Sequence, residues 1–175
     1  MKKLLLVLLF SFPLLASQLH LQDGFVQAHT EMLMESNIDP LNKSLHADVS
    51  IKNDDILTLR GNFWIEMDLF VSDNKDRDEH MDETTDVKTY PQASFSIISI
   101  TKKDVDIYTL KGEMDFHGVK KELLFESKII NKDNGISLSA KTDINGTDFG
   151  LEMPCLIFMC VDNKISILVE ADFSK

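Results

Sequence analysis

Alternation of apolar and polar residues with a period of two constrains this chain more than any other feature. In the run 45–51, apolar side chains occupy every odd position and polar side chains every even position. A strand with one face on a core and one face in water requires this period. Counted with a first run at 25–34, about eight strands are predicted, at 25–34, 45–51, 63–69, 93–101, 110–116, 119–129, 136–144 and 165–173.

Turn-forming residues separate these runs, as in the segment Asp133-Asn134-Gly135. The amphipathic crossover helices that parallel strands need are missing between them. The pattern therefore predicts an all-β antiparallel barrel or sandwich. One charged stretch, 72–89, lacks the alternation, and we expect a short connector helix there around 74–83, capped by Asp73 or Asn74.

The first residues have the form of an export signal. Lys2 and Lys3 precede an apolar run that ends near Ala16 and Ser17, and the run is shorter than the roughly 20 residues that span a bilayer. We predict a cleaved signal peptide over residues 1–17 and one domain over 18–175, located in the periplasm or secreted. An uncleaved membrane anchor is the alternative.

The charge of the chain argues against several partners. Its formal net charge is −11, and loss of Lys2 and Lys3 makes the predicted domain about −13 (−11 − 2). Such a domain repels nucleic acid and anionic lipid surfaces. No later segment is apolar for long enough to span a membrane, so we expect a soluble domain.

Catalytic motifs are missing from the sequence. It has no G-x-S-x-G elbow, phosphate loop or dinucleotide fingerprint. The five histidines are scattered without metal-ligand spacing. We therefore predict a protein that is not an enzyme and has neither a cofactor nor a metal site.

Several motifs follow the connector at characteristic spacings. Residues 74–81 read NKDRDEHM and are followed by Tyr90-Pro91 and a strand that includes Phe95. Further on, residues 116–121 read FHGVKK, and residues 143–150 read DINGTDFG. These motifs resemble the N-x-x-R-D-x-H…Y-P-x-x-x-F signature of the YceI-like family and the penultimate strand of that family. The resemblance extends from about residue 59 to the carboxyl terminus, and the first strand departs from the family pattern.

The resemblance implies an eight-stranded lipocalin-like barrel around an apolar tunnel for a polyisoprenoid or similar amphiphile. The alternative is that the same side chains fill a close-packed core, since small barrels do either. The inward-facing residues that would line a tunnel are Phe63, Ile65, Met67, Phe95, Ile97, Leu110, Gly112, Met114, Phe116, Leu123, Phe125, Leu138, Ala140, Ile167 and Val169.

Arg77, Asp78 and His80 are the polar residues of the connector most relevant to function, and two of them, Arg77 and His80, are candidates for binding the ligand's head group. Arg77 offers a planar fork of donors, and His80 can carry charge near neutral pH. A structural role is the alternative: Arg77 would pair with Asp78 or with strand ends, and His80 would pack beneath the connector.

Cys155 and Cys160 are the only cysteines. An oxidising compartment allows a disulfide between them, whereas the apolar residues around them are equally compatible with two buried thiols.

Two functions follow from these observations. The first is a carrier or reservoir for an isoprenoid-like lipid or quinone-type amphiphile. The second is a stress-response or interaction protein that uses the barrel as a scaffold for an acidic surface. Neither function determines the oligomeric state, and a homodimer is one alternative.

Overall fold

The computed structural model describes residues 16–32, 35–156 and 159–175. It confirms the predicted all-β class: eight antiparallel strands close into a barrel, and one short helix interrupts them. The predicted signal peptide lies outside the described residues except for Ala16 and Ser17.

The elements alternate with short connections along the chain. The strands are β1 (Ala16–Met32), β2 (Glu35–Ile38), β3 (Leu41–Asn42), β4 (His46–Lys52), β5 (Asp55–Glu66), β6 (Gln92–Asp104), β7 (Ile107–Phe116), β8 (Val119–Lys132), β9 (Gly135–Asn145), β10 (Cys155–Leu156), β11 (Met159–Cys160) and β12 (Lys164–Ser174). The helix α1 is Lys75–Thr84, and two 3₁₀ turns are Met67–Leu69 and Gly146–Phe149.

The barrel strands follow the order β1, β4, β5, β6, β7, β8, β9 and β12. Strand β12 pairs with β1 and so closes the circuit, and each of these eight strands as described pairs with a neighbour on both sides. Strands β2 and β3 pair with β1 off this path, and β10 and β11 form a separate hairpin.

One end of the barrel is filled by side chains. The starts of β1, β5, β7 and β9 meet the ends of β4, β6, β8 and β12 there, because neighbouring strands run in opposite directions. Six inward-pointing aliphatic residues at this end, which we call the packed end, are at most 2% exposed: Leu19, Val49, Ile51, Leu59, Ile129 and Ile136.

Two sequence predictions about strand ends are wrong. The first strand begins at Ala16 rather than at residue 25, because a bulge between Leu21 and Asp23 carries the strand past a segment that resembles a turn. Leu69 does not face the core. The strand ends at Glu66, and the 3₁₀ turn that follows leaves Leu69 49% exposed.

Candidate functional site

An apolar cavity of about 80 Å³ lies inside the barrel, beyond the packed end. Its walls come from β1, β5, β6, β7, β8, β9 and β12 and from Leu45, which precedes β4. Ten of the predicted tunnel residues line it: Phe63, Ile65, Phe95, Leu110, Met114, Phe125, Leu138, Ala140, Ile167 and Val169.

Five further residues line the cavity that the sequence prediction did not include. Val26, Leu45 and Ala93 follow the inward parity of their strands, so the alternation alone could have found them. Trp64 and Ser94 have the outward parity and sit opposite each other in the β5–β6 ladder. Nothing in the sequence indicated these two.

Four of the predicted tunnel residues belong to the surrounding core instead. Met67, Ile97 and Phe116 are 6 to 8% exposed and contact other core side chains rather than the cavity. The ring of Phe116 packs against Phe149, with ring centres 5.5 Å apart. Leu123 is half-buried and packs against the core from its side.

Gly112 does not enlarge the cavity, although the sequence suggested that it would. The ring of Phe95 already occupies the space above it. A Cβ atom at this position would overlap both Cζ of Phe95 and the carbonyl oxygen of Ser96. The aromatic ring of one strand thus fills the volume that the glycine of its neighbour leaves.

Connector residues Arg77 and His80 are not among the residues that line the cavity. Helix α1 confirms the predicted connector, and Asn74 caps it by accepting a hydrogen bond from the amide of Arg77 (3.2 Å). The guanidinium of Arg77 pairs with Asp73 (Nη1–Oδ1 3.0 Å) rather than with Asp78. His80 is exposed, so it does not pack beneath the helix.

The exposed side of α1 and the turn before it is acidic. Partial burial raises the pKa of Asp82, and the neighbouring carboxylates Asp68, Asp78 and Glu79 raise it further. The sequence of α1, KDRDEHMDET, places five carboxylates within ten residues, so negative charge is concentrated here. Within the described residues, no three His, Cys, Asp or Glu side chains converge as a metal site would require.

A disulfide joins Cys155 and Cys160 in the structure. The two residues are directly opposed in the β10–β11 hairpin, with Cα atoms 4.0 Å apart. The hairpin is not part of the barrel circuit, and none of its described residues is among those that line the cavity.

The sequence matches the model of the YceI-like domain over residues 18–173, which is most of the chain. The chain belongs to the YceI-like family. The resemblance drawn from its central motifs is thereby confirmed, and the match also extends across the atypical first strand. A search of curated proteins finds no match to this YceI-like chain.

Solved structures share the fold of this YceI-like domain. The crystal structure of BcnA from Burkholderia cenocepacia aligns with a TM-score of 0.76 at 15% identity and covers 87% of this chain and 96% of its own. The YceI protein of Campylobacter jejuni aligns with a TM-score of 0.70 at 19% identity, covering 82% and 88%. A polyisoprenoid binding domain from Saccharophagus degradans, implicated in plant cell wall breakdown, gives 0.69 at 11%, covering 90% and 97%. At these identities the likeness shows the fold alone.

The described part of the chain holds no helix that is long and apolar enough to cross a membrane.

Proposed function

We propose that this YceI-like domain is an exported binding protein that holds a polyisoprenoid or similar long-chain amphiphile inside its barrel, as a carrier or reservoir. The apolar cavity within the closed circuit of strands is the observation that carries this proposal. The fold neighbour from Saccharophagus degradans, which is named for polyisoprenoid binding, supports the choice of ligand class.

The walls of the cavity suit a hydrocarbon chain. Transfer of apolar surface from water to such a lining contributes about 25 cal/mol for each Å² that is buried. A catalytic role is not part of the proposal, because the described residues that line the cavity include no histidine, carboxylate or thiol.

The cavity must widen to accept a long chain. Its volume of about 80 Å³ is smaller than the roughly 300–1,000 Å³ of typical ligand pockets. Phe95 and Met114 are the side chains best placed to move, since both line the cavity and both are only half-buried. Methionine has three rotatable bonds and adapts readily to an irregular ligand.

The proposed location explains why a soluble protein would need an apolar cavity. A long isoprenoid chain does not dissolve in water, so a soluble barrel exported by the predicted signal peptide would shield it beyond the membrane. The disulfide between Cys155 and Cys160 is consistent with an oxidising compartment.

The experiment is native mass spectrometry of protein purified without detergent, followed by lipid extraction. We expect a bound long-chain lipid in the wild-type protein, and the same spectrum reports whether the protein is a monomer or a homodimer. Ala140→Phe, which places a ring in the cavity, should lower the bound fraction at least about tenfold.

Lys141→Phe is the matched control for that variant. It adds a ring at the next position of β9, where the side chain points outward and is 71% exposed, so lipid retention should stay at the wild-type level. Absence of lipid from the wild-type protein, or full retention by Ala140→Phe, would contradict the proposal.

A second candidate function is an interaction role for the acidic surface around α1. The carboxylates clustered on α1, among them Asp78, Glu79 and Asp82, favour it. If the domain has this function, its affinity for a protein partner should fall as the salt concentration rises. Asp82→Asn should lower that affinity, and Ala140→Phe should leave it unchanged.

A further inference from the structure

The wall of the barrel is open between β1 and β4. Residues 16–19 of β1 pair with residues 49–52, and Val26 and Gln27 pair with Asn42 and Leu41. The residue numbers of each pair add up to 68 at both ends, so the register is the same. Between these ends, residues 20–25 and residues 43–48 form no ladder with each other in the described structure, although each segment pairs with its other neighbour. The two strands are therefore separated locally without a change of register.

Side chains around the opening explain why the strands stay apart. Asn42 is fully buried and donates a hydrogen bond from Nδ2 to the carbonyl oxygen of Glu66 (2.7 Å), while its Oδ1 accepts one from the amide of Ser44 (2.8 Å). These bonds hold the chain after Asn42 on β5 rather than on β1. Leu45 then packs against Gly24, where its Cδ2 lies 2.8 Å from the position that a Cβ would take.

On the opposite side, β1 has a bulge within the segment that is parted from β4. The bulge lies between Leu21 and Asp23 in the pairing of β1 with β12, within the parted segment. Bulges bend a strand locally and interrupt its ladder. The two edges of the opening are therefore set by separate features, one on each strand.

The opening has a volume of about 520 Å³ and is mainly polar. Leu45 and Trp64 line both this opening and the apolar cavity, so the two spaces share a wall. The residues around the opening are Gln18, Leu19, His20, Leu21, Gln22, Asp23, Gly24, Lys43, Leu45, His46, Ala47 and Trp64.

The charges around the opening favour an uncharged guest. Among the described residues that line it, Lys43 is the one lysine and Asp23 the one carboxylate, so their formal charges cancel. The ring of His46 stacks on Trp64 (ring centres 5.3 Å apart) and lies near Glu66 (Nε2–Oε2 3.2 Å). The net charge of −11 for the whole chain further disfavours an anion.

Main-chain groups of the parted strands supply hydrogen bonds. In an antiparallel pair, about half of the residues on each edge direct both N–H and C=O toward the neighbour. The parted segments therefore offer donors and acceptors together. A hydroxyl or amide group uses both kinds of partner, whereas a phosphate would use the donors only.

We propose that the opening between β1 and β4 is a head-group site, which holds the uncharged, hydrogen-bonding head of an amphiphile whose chain lies in the apolar cavity. This inference rests on the proposed function for the chain. It replaces Arg77 and His80 as the place of the head group, because both lie on α1 and line neither space.

Ligand binding can be measured by the fluorescence of Trp64. It is the only tryptophan of the chain and lines both spaces, so its fluorescence should respond to ligand binding. Wild-type protein is titrated with three probes that share one chain: farnesol, farnesene, which lacks a polar head, and farnesyl phosphate. We expect farnesol to bind about fivefold more tightly than farnesene, and farnesyl phosphate to bind more weakly than farnesol.

The outcomes separate the two proposals. No binding of any probe would overturn the proposed function and with it this inference. Equal affinities for farnesol and farnesene would overturn the head-group site alone. Tighter binding of farnesyl phosphate than of farnesol would overturn the assignment of an uncharged head. These wild-type measurements do not depend on the folding of a variant.

One variant then locates the site. Ala47 lines the opening but not the apolar cavity, so Ala47→Leu should abolish the preference for farnesol and leave the affinity for farnesene within about twofold. Ala28→Leu is the control, since Ala28 is a half-buried alanine of β1 that lines neither space. A preference for farnesol that persists in a folded Ala47→Leu protein would contradict the location.

Discussion

The packed end and the cavity differ, although the same alternating pattern builds both. At the packed end, Leu59 and Ile129 are 1% exposed and Ile136 is fully buried. Around the cavity, Phe95 and Met114 point inward from the same kind of strand and yet stay half-buried. The period of two therefore decides which side chains face inward, and the sizes of the opposing side chains decide whether they meet.

The largest effect should come from truncating the packed end. Leu59→Ala leaves a void that tightly packed neighbours cannot fill, so we expect it to lower the free energy of unfolding by about 2–5 kcal/mol. Met114→Ala enlarges a cavity that already exists and should cost about 2 kcal/mol or less. Urea unfolding of both variants, with folding checked by circular dichroism, measures the difference. Equal losses would mean that the two regions are packed alike.

An intermediate effect should come from adding atoms at two small residues. Gly112→Ala forces a Cβ into Phe95 and the backbone of Ser96, so it should destabilise the protein by about 1–3 kcal/mol. Ala140→Val adds methyl groups that face the cavity and should change stability by less than about 1 kcal/mol. The same unfolding assay compares them. A neutral Gly112→Ala would show that Phe95 moves aside freely and that the cavity extends over residue 112.

The smallest effect should come from acid, and it should be similar at both ends of the barrel. A hydrogen bond from Ser166 and then the pair with Lys164 lower the pKa of Asp143, which lies toward the end of β9. The pair with Lys132 and then a bond from Ser137 lower the pKa of Asp172 beside the packed end.

The sign of this acid effect follows from the direction of the shifts. A carboxylate with a lowered pKa stabilises the fold above its ordinary value of 3.8, and this contribution is lost as the pH falls below that value. Asp143→Asn and Asp172→Asn should each make stability slightly less sensitive to acid over that range, as measured by thermal unfolding against pH. A much larger change for Asp172→Asn would attribute the stability of the packed end to its ion pair rather than to its aliphatic core.

The sequence predicted the barrel, its inward faces and most of the cavity lining, because these depend on local alternation. It placed the start of β1 wrongly, since the bulge near Gln22 is set by pairing with β12 and not by the residues themselves. It also named Arg77 and His80 as head-group candidates on chemical grounds, and neither is among the residues that line the cavity. The opening between β1 and β4 could not be predicted, because it depends on the long-range bond from Asn42 to Glu66.

The buried position of Asn42 has a consequence for how the protein can be produced. Residues Asn42-Lys43-Ser44 have the form of an N-glycosylation acceptor, as do Asn145-Gly146-Thr147. Asn145 is exposed and could carry a sugar, but Asn42 is 0% exposed and uses its amide to hold the edge of the opening. A glycan added to Asn42 during secretion from a eukaryotic host would therefore prevent this edge from forming. Production by bacterial export avoids that modification. A Ser44→Ala variant also avoids it, because it removes the acceptor motif and keeps Asn42.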